Sequence, residues 1–260
     1  QSAGLSGSIK KCINATMNIL DKIVLQKQKE VAAARAAVGV AQLEQSNHFQ
    51  RATVSLSNRI LQENSTGIIA EFKRKSPSKG VINDKVKVED VVSQYAAAGV
   101  SGCSVLTDTE FFGGAPQDLM KARDVVNIPL LRKDFMIDEY QFLEAKSWGA
   151  DVILLIAAIL TPLQVKSFTD VAQSLGLEVL LELHDESELN HVYHKVNMVG
   201  INNRNLKTFQ VDVEQSVRMA EKLGDGFVKI AESGISDMEM LKLFRRSGFQ
   251  GFLIGENFMK

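Results

Sequence analysis

The pattern of apolar and polar positions divides the chain into two unequal parts. From Ile19 to Ala37, Ile19, Ile23, Val24 and Val31 fall near one face of a 3.6-residue period, with Lys22, Lys27, Lys29 and Glu30 around them. This predicts a helix capped by Asn18 or Thr16. Residues 42–65 are polar and poorly patterned, and predict short helix and loop. After Gly67 short apolar runs recur: Ile68–Phe72, Cys103–Leu106, Pro129–Leu131, Val152–Ile156, Val179–Leu183, Met198–Ile201, Val228–Ala231 and Gly251–Ile254. They are rich in Ile, Val and Leu and mostly lack strict alternation, as strands of a helix-covered parallel sheet should. Helical patterns lie between them at Val88–Ala98, Gln117–Val126, Glu139–Trp148, Leu163–Leu175, Glu186–His194, Val213–Leu223 and Asp237–Arg246.

Eight such repeats predict an α/β fold, a (β/α)8 TIM barrel. A doubly wound open sheet would normally carry G-x-G-x-x-G after its first strand. Here the first run leads into Lys73-Arg74-Lys75-Ser76-Pro77-Ser78, with no glycine pair. The expected organisation is a tail at 1–16, an N-terminal helical extension at 17–66 and the barrel at 67–260. The eighth run lies close to Lys260, so the final barrel helix is expected to be lacking. That predicts an apolar groove beside the eighth strand and the first barrel helix, with Phe252 and Ile254 uncovered on their outward faces.

Charge and composition narrow the partners. With 30 basic and 31 acidic residues the net charge is −1, which gives neither a nucleic-acid footprint nor a polybasic membrane surface. No apolar run reaches the ~18 residues of a membrane span, and the N-terminus lacks a signal-peptide pattern. Cys12 and Cys103 match no metal or redox spacing and read as free thiols of a cytoplasmic protein. His191 and His194 share one face of the expected helix but lack a third ligand, so no metal is expected. A monomer or weak homo-oligomer is expected, with no cofactor.

Barrel enzymes place their chemistry at the C-terminal strand ends. Glu71 and Lys73 stand at the first, Lys133 at the third, Glu182 and His184 at the fifth, Asn202, Asn203 and Arg204 at the sixth, Glu232 at the seventh and Glu256 at the eighth. Glu71 with Lys73, and Glu182 with His184, have period-2 spacing, so each pair shares a face. Charges crowded into a partly dry mouth must pair or shift their pKa. The segments Ser233-Gly234-Ile235 and Gly255-Glu256-Asn257 follow strands seven and eight, where many barrels bind phosphate on backbone amides. Lys73 would add a charge there. Phe111 and Phe112 either line an aromatic pocket or plug their loop against the barrel, and Trp148 reads as packing.

Six ordered segments carry a family resemblance: Ile69-Ala70-Glu71-Phe72-Lys73-Arg74-Lys75-Ser76-Pro77-Ser78-Lys79-Gly80, Leu131-Arg132-Lys133-Asp134-Phe135, Leu181-Glu182-Leu183-His184-Asp185-Glu186, Gly200-Ile201-Asn202-Asn203-Arg204-Asn205-Leu206, Ala231-Glu232-Ser233-Gly234-Ile235-Ser236 and Leu253-Ile254-Gly255-Glu256. Together they resemble the indole-3-glycerol phosphate synthases of tryptophan biosynthesis, from about Asn18 to Lys260. The resemblance implies a phosphorylated small-molecule substrate, 1-(2-carboxyphenylamino)-1-deoxyribulose 5-phosphate, closed to indole-3-glycerol phosphate with loss of carbon dioxide and water. It implies Lys133 as general acid, Glu182 as general base, and Lys73 as a further acid or as an anion partner. Glu71 and Glu232 would orient the lysines and substrate hydroxyls, with Asn202 and Arg204 on the hydroxyl and carboxylate side. Phe112, Phe135, Leu154, Leu206 and Phe209 would form the apolar wall. Ser76, Ser233, Gly234, Gly255 and Glu256 would complete the substrate site. The alternatives are another ribulose-phosphate-binding barrel, such as phosphoribosylanthranilate isomerase, which would not need the Glu71-Phe72-Lys73 and Ser76-Pro77-Ser78 segments, and a catalytically inactive phosphate-binding barrel.

Overall fold

A computed structural model describes residues 18–204 and 210–259. The tail expected at 1–16, with Cys12 and the alternative cap Thr16, lies outside the described residues. Eight parallel strands close a barrel: β1 (Ile68–Phe72), β2 (Gly102–Leu106), β3 (Leu130–Lys133), β4 (Val152–Ile156), β5 (Glu178–Leu183), β6 (Met198–Asn202), β7 (Val228–Glu232) and β8 (Gly251–Ile254). β8 pairs back onto β1 with Ile68 opposite Phe252. Among the described residues three helices precede the barrel: α1 (Ile19–Ala37), α2 (Val40–Glu44) and α3 (Leu56–Ile60). Six more follow strands on the outside: α4 (Val88–Ala97), α5 (Pro116–Val125), α6 (Tyr140–Ser147), α7 (Pro162–Ser174), α8 (Val213–Leu223) and α9 (Met238–Arg246). A two-stranded hairpin pairing Lys75–Ser76 with Gly80–Val81 projects after β1.

The continuous apolar runs have a physical cause. Each strand is buried on both faces, so it feeds two cores. Ala70, Phe72, Val105, Leu130 and Ile153 pack outward under the helices. Ile69, Leu131, Leu154, Leu180, Met198, Ile230 and Leu253 fill the barrel interior. The inward residues are every second one, so the period that hides in the runs reappears as a layered interior.

Two expectations need correction. The stretch Glu186–His194 is not an α-helix. A 3-10 helix spans Glu186–His191 only. Its local polar side chains satisfy the backbone in a tighter turn: Asp185 caps Ser187 N at 2.9 Å, and Glu188 accepts from His184 N at 2.7 Å. His191 and His194 therefore share no helix face. His191 Nε2 lies 2.9 Å from the Leu160 carbonyl oxygen, and His194 packs edge-on against Tyr193.

The second correction concerns β8. Phe252 and Ile254 are buried, at 0% and 7% exposure, where uncovered faces were expected. A 3-10 turn at Glu256–Phe258 follows β8 and seats Met259 in the outer core. The Phe258 ring packs 5.9 Å from Tyr95 of α4, and the Arg245 guanidinium of α9 lies 5.5 Å over the Phe252 ring.

The N-terminal extension straps the barrel from mouth to base. Asn18 caps α1 through a reciprocal pair with Asp21. The buried stripe of α1 is Ile23, Lys27 and Val31, a lysine within an apolar row. The Tyr140 hydroxyl of α6 donates to Val38 O at 2.8 Å, holding the end of α1 to the barrel wall. At the base, Leu56 and Ile60 of α3 plug the inner core. Glu178, at the start of β5, accepts from Ser55 Oγ at 2.6 Å, Leu56 N at 2.8 Å, Ser57 N at 3.0 Å and Ser57 Oγ at 2.6 Å. One carboxylate thus satisfies the orphan amides of α3. Glu178→Ala is expected to destabilise the fold by about 1.5–3 kcal/mol, the range for a charged hydrogen-bonding group, read as a lower urea midpoint with an unchanged slope; an unchanged midpoint would contradict it.

Candidate active site

The C-terminal ends of the strands open into one cavity of about 420 Å³. Glu71, Lys73, Ser76, Phe112, Lys133, Phe135, Leu154, Glu182, Asn202, Arg204, Glu232, Ser233, Gly234, Gly255 and Glu256 all line it. Leu206 and Phe209 lie outside the described residues.

At the centre is Lys133. β3 runs to Lys133, two residues beyond the apolar run, and carries its ammonium inward. Nζ donates to Glu182 Oε2 on β5 at 2.9 Å and to Glu232 Oε2 on β7 at 2.7 Å. Lys133 and Glu182, on alternate strands, are therefore in direct contact across the barrel. Burial alone would lower the lysine pKa. Glu182, Glu232 and Glu71 outweigh it and hold the ammonium above its ordinary value. Burial would raise Glu182, but Lys133, His184 and Asn202 hold it well below the usual carboxylate range. Asn202 Nδ2 donates to Glu182 Oε1 at 3.0 Å. Glu232 goes the other way: burial, helped by Glu182 and Glu71, pushes it up to about 7 against the pull of Lys133. Two carboxylates on one ammonium cannot both be fully compensated; Glu182 has His184 and Asn202 as further partners, so Glu232 gives way.

Glycine makes room for that arrangement. Gly200 on β6 sits beside Glu182 in register, and a Cβ there would lie 2.2 Å from Glu232 Oε1. That oxygen is buried and accepts no hydrogen bond among the described residues.

On one side Lys73 Nζ lies 2.5 Å from Glu71 Oε1, and that oxygen packs against Gly255. This brings the ammonium beside the loop after β8. Ser233 and Gly234 both take left-handed conformations, at φ 64° and 71°. For serine this is a strained backbone. Asn203 Nδ2 braces it by donating to Ser233 O at 2.7 Å. Opposite, Phe112 and Phe135 pack with ring centroids 6.0 Å apart, next to Leu154.

Several lining residues are not apparent from sequence. Ile19, Leu20 and Ile23 of α1 reach over the mouth. The signal for α1 is Lys27, a charge inside an apolar stripe, which has to meet counter-charges somewhere. His184 stands at its strand end, where spacing alone assigns it no role. Phe111 and Phe112 are held by their amides, which donate to Asp108 Oδ1 at 2.8 and 3.2 Å. Trp148 packs under the Arg132 guanidinium, 4.1 Å from the ring centroid. Among the described residues no cluster of His, Cys, Asp or Glu can hold a metal ion, and no helix is long and apolar enough to cross a membrane.

The family model for indole-3-glycerol phosphate synthase matches residues 20–260. The chain belongs to the indole-3-glycerol phosphate synthase family. It is 49% identical over 243 residues to the indole-3-glycerol phosphate synthase of Bacteroides thetaiotaomicron, covering 94% of this chain and 93% of that relative. It is 42% identical over 247 residues to that of Neisseria meningitidis, covering 94% and 95%. By fold it resembles N-acetylmannosamine-6-phosphate 2-epimerase from Clostridium perfringens, at a TM-score of 0.56 and 11% identity over 78% of this chain and 90% of the other. That likeness shows the barrel alone. The activity of indole-3-glycerol phosphate synthases is a carboxy-lyase reaction, the indole-forming step of tryptophan biosynthesis.

Proposed function

We propose that this mouth binds 1-(2-carboxyphenylamino)-1-deoxyribulose 5-phosphate and closes its indole ring, with Lys133 as general acid and Glu182 as general base. The observation that carries the reading is the Lys133 ammonium held between two buried carboxylates, in a cavity with aromatic rings on one side and glycine loops on the other. The ring carbon bearing the carboxylate attacks the substrate ketone, whose oxygen takes the Lys133 proton. Carbon dioxide then leaves, and its bonding pair restores the aromatic ring. Glu182 removes a proton beside the new hydroxyl-bearing carbon. The hydroxyl departs as water with a proton from an ammonium, a role this reading gives to Lys73. Glu71 orients Lys73 and Glu232 orients Lys133 through the contacts above. Asn202 and Arg204 face the substrate's hydroxyl and carboxylate side, where a guanidinium fork suits a carboxylate. The test is the rise of indole absorbance or fluorescence when this substrate is added; no signal with folded protein would remove the reading.

The phosphate is assigned to the amides of the Ser233-Gly234 and Gly255-Glu256 segments, with Lys73 as a point charge. Gly234→Ala places a side chain at a left-handed position, 2.5 Å from Val211 Cγ1. It is expected to raise KM by about tenfold, equivalent to removing one charged hydrogen bond of ~1.5 kcal/mol, with a smaller change in kcat. A KM equal to the parent's would take the phosphate away from this loop.

A further inference from the structure

His184 extends β5 past Leu183 and lines the same cavity as Glu182. Its Nε2 lies 2.9 Å from Glu182 Oε1, and its Nδ1 lies 3.8 Å from Glu188 Oε2. Neither ring nitrogen makes a directed hydrogen bond among the described residues, so the ring meets both carboxylates as an ionic contact. Only 8% of the side chain is exposed. The backbone fixes its place: His184 N donates to Glu188 Oε2 at 2.7 Å, and His184 O accepts from Gln215 Nε2 of α8 at 3.4 Å.

The two oxygens of Glu182 therefore have different partners. Oε2 meets Lys133, while Oε1 meets His184 and Asn202. This matters once Lys133 acts. An ammonium that has given up its proton no longer compensates Oε2, and Glu232 competes for what remains. A buried carboxylate without a cation takes up a proton and stops being a base.

We propose that His184 is a positioning residue whose imidazolium grips Oε1 of Glu182, keeping that carboxylate ionised and aimed when Lys133 gives its proton to the substrate. The inference rests on the assignment of Lys133 as acid and Glu182 as base. The charged groups that face the ring are Glu182 on its own strand and Glu188 from the 3-10 turn, with Lys133 of β3 beyond Glu182. β6 contributes the neutral Asn202 next to Glu182, and Arg204 to the same cavity wall; α8 contributes the neutral Gln215. Burial alone would make the ring less basic, but Glu182 and Glu188 hold its pKa up at about 9. At neutral pH the cation is present.

The test combines pH–rate profiles with NMR titration of the imidazoles. In His184→Asn the acid limb of kcat/KM, which reports ionisation of the base in the free enzyme, is expected to rise by about 1 pH unit or more. In the parent, His184 is expected to titrate well above the ordinary ~6.5 of histidine, and its midpoint is expected to fall in Glu188→Gln and in Glu182→Gln. A side chain that only fills space would move neither quantity. An acid limb of His184→Asn that coincides with the parent's overturns the proposal. So does a His184 midpoint near 6.5 in the parent, and this arm decides the matter even if His184→Asn does not fold. Normal turnover in Glu182→Gln would instead overturn the assignment of the base.

Discussion

Replacing Lys133 with Met is expected to lower turnover by ~10²–10⁴-fold, the usual contribution of a positioned acid, in a protein whose circular dichroism is unchanged. Methionine keeps the bulk of the stem and removes the charge. The loss should appear equally in kcat and kcat/KM, because the proton is delivered in the transition state and not in the bound ground state. Glu182→Gln keeps the shape, removes the base and is expected to cost a similar factor. The two residues touch at 2.9 Å, and in the proposed mechanism they act in one sequence of proton transfers. The double variant should therefore be only slightly slower than the worse single one. Removing Lys133 also leaves Glu182 and Glu232 facing each other without their shared cation. Glu232, already pushed up to about 7, is expected to rise further, because its remaining influences are burial and the carboxylates of Glu182 and Glu71. Loss of less than tenfold in either single variant, with folding intact, would remove that residue from the chemistry.

Much of this site is legible in the chain because a barrel strand couples three properties. Its apolar run is long enough to see, its last inward residue falls at a fixed place, and its exit carries the polar group. Glu71, Lys133, Glu182 and Glu232 are all of that kind, and all line the cavity. The contact of Lys133 with carboxylates on β5 and β7 is not legible, since it depends on how far a lysine stem reaches across a closed barrel. Nor is the part played by Gly200, which reads as an ordinary strand residue until the carboxylate of the next strand is seen against it. The turn at Glu186–His191 reads as a helix because Leu189 and Val192 give a helical spacing, whereas Asp185 and Glu188 bind backbone amides locally. The burial of Phe252 and Ile254 escapes a sequence reading because Arg245, which lies over the Phe252 ring, and Met259, which joins the same core, belong to no periodic pattern.

The other large expected effect concerns the strap over the mouth. Lys27 of α1 is 4% exposed and meets Asp134 at 2.9 Å, Asp108 at 3.0 Å and Glu30 at 2.7 Å. Burial would lower its pKa, and these carboxylates hold it above the ordinary lysine value. Asp134 follows Lys133, and its other oxygen accepts from Thr107 at 2.6 Å and from Arg132 at 3.0 Å. Asp108 holds the loop of Phe111 and Phe112. One ammonium thus ties α1 to the two loops that carry Phe112 and Phe135. Lys27→Met is expected to destabilise the protein by about 3–5 kcal/mol, since it leaves buried carboxylates without their cation. Asp134 keeps Arg132, so most of the strain falls on Asp108, whose side chain is fully enclosed. The effect should reach the substrate as well. Ile19, Leu20 and Ile23 line the cavity from α1. If α1 lifts away, each CH₂-sized piece of apolar surface returned to water costs about 0.8 kcal/mol. Where the variant is still folded, KM is expected to rise by about tenfold or more, while kcat changes less, because Lys133 and Glu182 lie on other elements. Lys27→Arg keeps the charge and should recover part of both losses. A Lys27→Met protein that melts with the parent and binds substrate as tightly would show that α1 is an ornament of the mouth and no part of its wall.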